Sequence, residues 1–196
     1  METTDEILEE LCSDRRGVDT AILEQVLTLA VELAREGREG RKIGTIFMVG
    51  DAEAVLNASR PMVLDPLYGH DAAAKQITEA NTRETLKELA QLDGAFVISN
   101  EGIAVSAARY LDAPSTGLDL PLGLGSRHMA AAAMTQETGA VAVVVSQSAV
   151  VRLFDDGELF AEVLPELWMM SRYSSHIDAP VFTRSSDQVT VRRKIE

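Results

Sequence analysis

Two stretches carry side chains whose types and spacing suit chemistry on a phosphate. The first is Gly123-Leu124-Gly125-Ser126-Arg127-His128, followed by the alanine-rich run Met129–Met134. Alanine is the best helix former, so a helix is expected to begin here on a glycine-rich lead-in. A helix start offers unpaired N–H groups and partial positive charge. A phosphate placed there gains N–H bonds. Ser126 could add a hydroxyl donor, and Arg127 a bidentate guanidinium. His128 could bond the phosphate or ligate a metal held by it. The same residues also read as a plain N-cap serine, a solvated arginine and a surface histidine. The second stretch is Leu92-Asp93-Gly94-Ala95-Phe96-Val97-Ile98-Ser99. Asp-Gly is a common turn pair. It would also set the Asp93 carboxylate at a strand mouth, where it could hold Mg²⁺ or Mn²⁺ against phosphate oxygens. Gly94 would admit a ligand close to the backbone.

Other phosphate and nucleophile motifs are missing or incomplete. Gly123-Leu124-Gly125 opens like a dinucleotide fingerprint, but His128 stands where its third glycine belongs, and a proline-rich loop precedes it instead of a strand. No Gly-Lys-Ser/Thr run exists for a P-loop, and Ser126 lacks the trailing glycine of a hydrolase elbow. His70, His128 and His176 lack zinc-type spacing. An anion cradle with one carboxylate and no zinc ligands follows the logic of a nucleoside-triphosphate site.

The elements that must position these residues follow from hydrophobic periodicity. Residues 5–12 read as a short helix with Thr4 as N-cap. Residues 20–36 repeat apolar side chains at helical spacing, and Gly37 is a suitable stop. The stripe is broad, which fits either a core helix or a helix that mediates assembly. A buried strand is expected in Lys42–Asp51. Residues 52–71, broken by Pro61, Pro66 and Gly69, read as mostly loop with a short helical piece. A helix capped by Asn81 or Thr82 should end just before Gly94. A hairpin follows over 95–111, turning at Asn100-Glu101-Gly102. A Pro- and Gly-rich loop covers 112–125. After the alanine helix come a β-branched strand, 140–146, and a second hairpin over 149–163 that turns at Asp155-Asp156-Gly157. The tail beyond Trp168 is less patterned, with one strand at 188–193. The expected fold class is α/β, a central twisted mixed β-sheet flanked by helices. A single domain is expected over residues 1–196, with a helical N-terminal segment to about residue 40 and a C-terminal tail from about 168.

Composition narrows the partners. The chain carries a net charge of −13, with 31 acidic residues against 18 basic ones, and only Lys42, Lys75, Lys87 and Lys194 are lysines. So acidic and lysine-poor a surface argues against nucleic acid as a partner. It suits a high-salt cytoplasm, where screening makes the excess charge tolerable, and equally an ordinary acidic protein. No apolar run is long enough for a membrane span, and the acidic N-terminus is unlike a secretory signal. Cys12 is the only cysteine, as expected in a reducing cytosol.

Taken together, Leu92–Ser99, the segment Ala107–Leu111 and Leu120–Ser148 resemble the diadenylate cyclase (DAC) domain family. Its two signatures are Asp-Gly-Ala and Gly-Thr-Arg-His at about this separation, and the resemblance runs from about Arg41 to about Val163. It implies condensation of two ATP molecules into cyclic di-AMP with release of two pyrophosphates, across a face-to-face homodimer or higher homo-oligomer. It implies a divalent cation, Mn²⁺ or Mg²⁺. By position, Asp93 would bind the metal near the attacking 3′-hydroxyl; deprotonation by Asp93 and metal-assisted ionisation both stay open. Gly94 and Ala95 would line the ribose and phosphates, and Tyr110 and Leu111 would meet the adenine. Gly125, Ser126, Arg127 and Ser146 would contact phosphates, and His128 would assist at the metal or the phosphates. Three positions depart from the family pattern: Ser126 for threonine, Met129 for a polar residue, and Gln147 for a carboxylate. The last two motivate an alternative, a nucleotide or cyclic di-AMP sensor with weakened catalysis.

Overall fold

The structure, a computed structural model, describes residues 17–165, 181–186 and 189–194. The helix expected over 5–12 lies outside them.

The first helix, α1, spans Thr20–Glu36. Asp19 caps it by accepting the Ile22 N–H at 3.0 Å. Gly37 ends it with φ +61°, donating its N–H to the Leu33 carbonyl at 2.9 Å. Strand β1 (Thr45–Val49) is buried along its whole length. It leads through Gly50 into α2 (Ala52–Asn57) and β2 (Ser59–Pro61). β2 was not expected from the sequence. It lies at the edge of the sheet, where a proline's missing N–H costs no ladder bond.

Helix α3 spans Ala80–Leu89 and starts slightly before the predicted caps. Glu79 takes the N-cap position without a side-chain bond, and Thr82 instead donates to the Ala74 carbonyl at 3.1 Å. β3 (Ala95–Ile98) and β4 (Ala104–Leu111) form the predicted hairpin, and α4 (Ser126–Glu137) the predicted alanine helix. β5 (Val141–Val145), β6 (Val151–Asp155) and β7 (Glu158–Val163) complete the sheet. The predicted tail strand is present as β9 (Val189–Lys194), paired antiparallel with β8 (Val181–Ser186), which the sequence pattern did not reveal.

The main sheet has seven strands in the order β2-β4-β3-β1-β5-β6-β7. Only β1 and β3 run parallel; the other pairings are antiparallel. The fold is therefore the expected α/β arrangement, a mixed sheet flanked by helices. Alternation of side chains across the pleat splits the interior into two cores. Phe47, Phe96, Val143 and Leu153 join α1 on one face. Ile46, Val97, Val144 and Phe154 join Ala131, Ala132 and Met134 of α4 on the other. The broad stripe of α1 is thus used by the core. Lys87 of α3 reaches Glu32 of α1 at 2.7 Å and Glu84 at 2.9 Å. Burial works against its charge, but the two carboxylates outweigh it and raise its pKa. Among the described residues no helix is long and apolar enough to cross a membrane.

Leu27 on α1 is fully buried in the first core. Leu27→Ala is expected to lower stability by about 3 kcal/mol, read from urea unfolding.

Candidate active site

The predicted residues converge where β1 and β3 begin and the antiparallel β5 ends. This is the opposite end from that used by open parallel sheets, whose ligands sit beyond the carboxyl ends of the strands. The register explains it: Ile46 pairs with Ala95, and Thr45 with Val145. Residues just before β1 and β3, and just after β5, must therefore meet.

Two adjoining cavities lie there. The larger, about 270 Å³, is lined by Asp93, Gly94, Ala95, Tyr110 and Leu111, with Ser126 and Arg127 from the start of α4. The smaller, about 140 Å³, is lined by Gly125, His128, Ser146 and Gln147 and shares Ser126 and Arg127. Every residue singled out from the sequence as catalytic, nucleotide-binding or metal-binding lines one or the other. Asp93 and His128, both expected at the metal, fall in different cavities. Ile46, Met62, Arg109 and Ala130 also line the larger cavity and were not foreseen. Met62 follows the unforeseen strand β2. Its N–H donates to the Ala108 carbonyl at 2.9 Å.

The position of Asp93 depends on an irregularity in β4. Pairing runs from Ala95–Arg109 to Val97–Ser106, so β4 carries an extra residue, and Ala108 adopts φ +52°. The bulge presses on Gly94, whose φ is +108°. A Cβ at Gly94 would lie 2.7 Å from the Ala108 carbonyl carbon and 2.8 Å from the Arg109 nitrogen. The glycine is therefore required by the protein's own backbone, in addition to any ligand. Asp65 fixes the bulge from outside: it accepts the Ser106 hydroxyl at 2.5 Å and the Ala107 N–H at 3.2 Å. Of the two guanidiniums at the larger cavity, Arg109 is committed to the Leu56 and Ser59 carbonyls at 2.9 and 2.7 Å. Arg127 instead pairs with Asp93, Nη2 to Oδ1 at 2.7 Å.

At the helix start, Gly125 takes the N-cap position and Ser126 is the first helical residue, so Ser126 is not the cap. The Gly125 N–H donates to His128 Nδ1 at 3.2 Å, while its carbonyl accepts the His128 N–H at 3.0 Å. An accepting Nδ1 places the proton of the neutral ring on Nε2. That nitrogen faces the Arg152 guanidinium at 3.4 Å, a contact between two donors. Arg152 is itself held by Glu162 at 2.6 Å. Burial first, then Arg152 and Arg127, push the His128 pKa below its ordinary value. Far from being a surface residue, His128 is a buried neutral ring that completes the cap. The N–H groups of Ser126 and Arg127 in the first turn have no intrahelical acceptor, a geometry that suits an anion.

Arg60 lies 4.4 Å above the Tyr110 ring centroid, a stacking that follows from their pairing across β2 and β4. Tyr110 remains partly exposed at the cavity edge.

Among the described residues no group of three or more His, Cys, Asp or Glu could hold a metal ion. Asp93 supplies a single hard carboxylate. That donor suits Mg²⁺ or Mn²⁺ provided that phosphate oxygens and water complete the shell.

Two outcomes are expected. Gly94→Ala should cost about 2–4 kcal/mol in denaturant unfolding, because a Cβ has no room beside Ala108. The depressed His128 pKa means that the unfolded chain takes up a proton at its ordinary 6.5 before the folded protein does. Stability contributed by the neutral ring is complete above that value and is lost as pH falls below it towards the lowered folded value. His128→Asn should flatten this part of the stability–pH profile.

The diadenylate cyclase of Methanocaldococcus jannaschii is 46% identical over 144 residues, which cover 73% of this chain and 45% of that protein. The diadenylate cyclase of Haloferax volcanii is 41% identical over 151 residues, covering 76% of this chain and 55% of that one. The chain thus spans about half the length of these curated relatives. The crystal structure of DacA from Staphylococcus aureus, at 20% identity, superposes with a TM-score of 0.52 over 76% of this chain and 91% of its own. That likeness concerns the fold. The family model for DAC, the DisA bacterial checkpoint controller nucleotide-binding domain, matches residues 32–159, and the chain belongs to that family of diadenylate cyclase domains.

Proposed function

We propose that this chain condenses two ATP molecules into cyclic di-AMP. The observation that carries the reading is the placement of Asp93 and Arg127 at one cavity with an open helix start. Each protomer binds one ATP, and two protomers meet face to face. The 3′-oxygen of each ribose forms a bond to the α-phosphorus of the other ATP. The bond from that phosphorus to the β-bridging oxygen breaks, and pyrophosphate leaves with the electron pair. The 3′-hydroxyl proton passes to Asp93 or to solvent. Such a transfer depends mainly on positioning and on neutralising charge, which is what these residues can supply.

The bound cation, Mg²⁺ or Mn²⁺, would neutralise phosphate charge. Asp93 would hold it, and the triphosphate would complete its shell. The N–H groups of Ser126 and Arg127, the Ser126 hydroxyl and the Arg127 guanidinium grip the phosphates. Ser146 contributes from the end of β5. Gly94 and Ala95 line the ribose and phosphates, and Tyr110 and Leu111 flank the adenine. His128 keeps the helix start open by bonding Gly125, and its Nε2–H is the group with which it can reach phosphate. Metal assistance by His128 is the weaker part of this assignment, since Nδ1 is already an acceptor. A single domain carries the activity.

One observation favours a second reading. Gln147 lines the smaller cavity with an uncharged amide, which suits a sensor that retains the nucleotide without turning it over.

The test is incubation of the purified protein with ATP and Mn²⁺ in high salt, with products resolved by mass. Cyclic di-AMP is expected, and Asp93→Asn should abolish it while leaving the fold intact. Arg127→Ala should weaken ATP binding by about 10-fold or more. ATP that stabilises the protein thermally without giving product would favour the sensor. Near wild-type turnover by Asp93→Asn would refute the metal assignment.

A further inference from the structure

The geometry points to Arg127 as a latch on Asp93: the guanidinium occupies the carboxylate, so that triphosphate and divalent cation are accepted together and neither is accepted well alone. This inference rests on the assignment of the site to ATP and a cation, and deepens it.

Four observations support it. Arg127 stands at the start of α4 and Asp93 in the loop before β3, yet Nη2 and Oδ1 meet at 2.7 Å. The contact therefore belongs to the tertiary fold and not to a local turn. Secondly, the guanidinium packs against Gly44. A Cβ at Gly44 would lie 3.1 Å from Arg127 Nη1 and 3.3 Å from Cζ. Gly44 does not adopt the left-handed backbone that would by itself call for glycine. A side chain there would press on the arginine in its present position. Thirdly, Arg109 is fixed on carbonyls, which leaves Arg127 as the guanidinium at this cavity able to change partners. Lastly, the pair is open to solvent, with side-chain exposures of 40% and 69%. An exposed pair of this kind is held only weakly. A multiply charged triphosphate can therefore draw the arginine away.

The consequence is a linkage. When Arg127 turns to the phosphates, Asp93 loses its counter-charge beside a polyanion. The arrangement is unfavourable until a cation takes the arginine's place on the carboxylate. The cation alone must displace Arg127 with nothing to receive it, and the nucleotide alone must strand Asp93. Coupling between two ligands is reciprocal, so each raises the affinity for the other by the same factor.

Calorimetric titration with ATP, in EDTA and in Mn²⁺, tests this on the full chain, Asp93→Asn, Arg127→Gln and the double variant. Asp93→Asn frees the arginine, so it is expected to bind metal-free ATP tighter than the wild type, by up to about 5-fold. The same substitution should give a clearly smaller tightening in the Arg127→Gln background, where it relieves only the repulsion between Asp93 and the triphosphate. Tightening of equal size in both backgrounds would mean simple repulsion between Asp93 and the triphosphate, and would overturn the latch. So would unchanged metal-free affinity in Asp93→Asn while the wild type binds ATP well with Mn²⁺. If the wild type binds ATP under neither condition, the assignment of the site to ATP fails, and the latch with it.

Discussion

The backbone of Gly94 lies against the backbone of Ala108 and Arg109, and the site is arranged around that contact. The β4 bulge that creates it turns Ala108 into the left-handed region and frees its carbonyl for Met62. It brings Met62, Arg109 and Tyr110 to the larger cavity together with Asp93. A regular ladder would have paired Val97 differently and left no kink at the mouth of β3. Asp65 holds the kink through Ser106 and Ala107, so a carboxylate outside the cavity shapes the cavity wall. Bulges beside active sites commonly re-aim a strand in this way.

The start of α4 solves a second problem, that of presenting free N–H groups without leaving the helix uncapped. A serine or aspartate at the N-cap would turn its oxygen onto the N–H groups that an anion needs. Here Gly125 occupies that position and offers no side chain. His128 accepts the N–H of Gly125 itself, which lies outside the helix, and leaves those of Ser126 and Arg127 available. The cost is a buried imidazole beside Arg152, which must stay neutral to fit.

Much of this was legible in the sequence, for identifiable reasons. The 3.6-residue repeat of α1 and the β-branched run of β5 are strong periodic signals, and both lie where the pattern put them. Asp93, Arg127 and their neighbours could be named because their spacing matches two motifs. What could not be read were contacts set by register. β2 is three residues long and contains a proline, so no pattern announced it, and with it the seating of Met62 and the stacking of Arg60 on Tyr110 were hidden. Gly44 looked like an ordinary residue before a strand, since only the fold brings Arg127 over it. His128 could not be recognised as a cap, because caps are usually sought at the first residue and not the third. The helix α3 began early because Thr82 found the Ala74 carbonyl, a tertiary contact, in place of its own helix end.

The division of the interior has its own consequence. Ile46, Ala95 and Leu111 belong both to the core beneath α4 and to the wall of the larger cavity, while the core beneath α1 supplies none of the cavity's lining. The sheet thus separates two kinds of selective pressure. Ile46, Ala95 and Leu111 face the cavity as well as the packing under α4, so a change in any of them alters both. Apart from Val145, which also lines the smaller cavity, the side chains under α1 answer only to volume and hydrophobicity. That layer can drift, or adapt to heat or salt, while the chemistry on the far side of the sheet stays as it was.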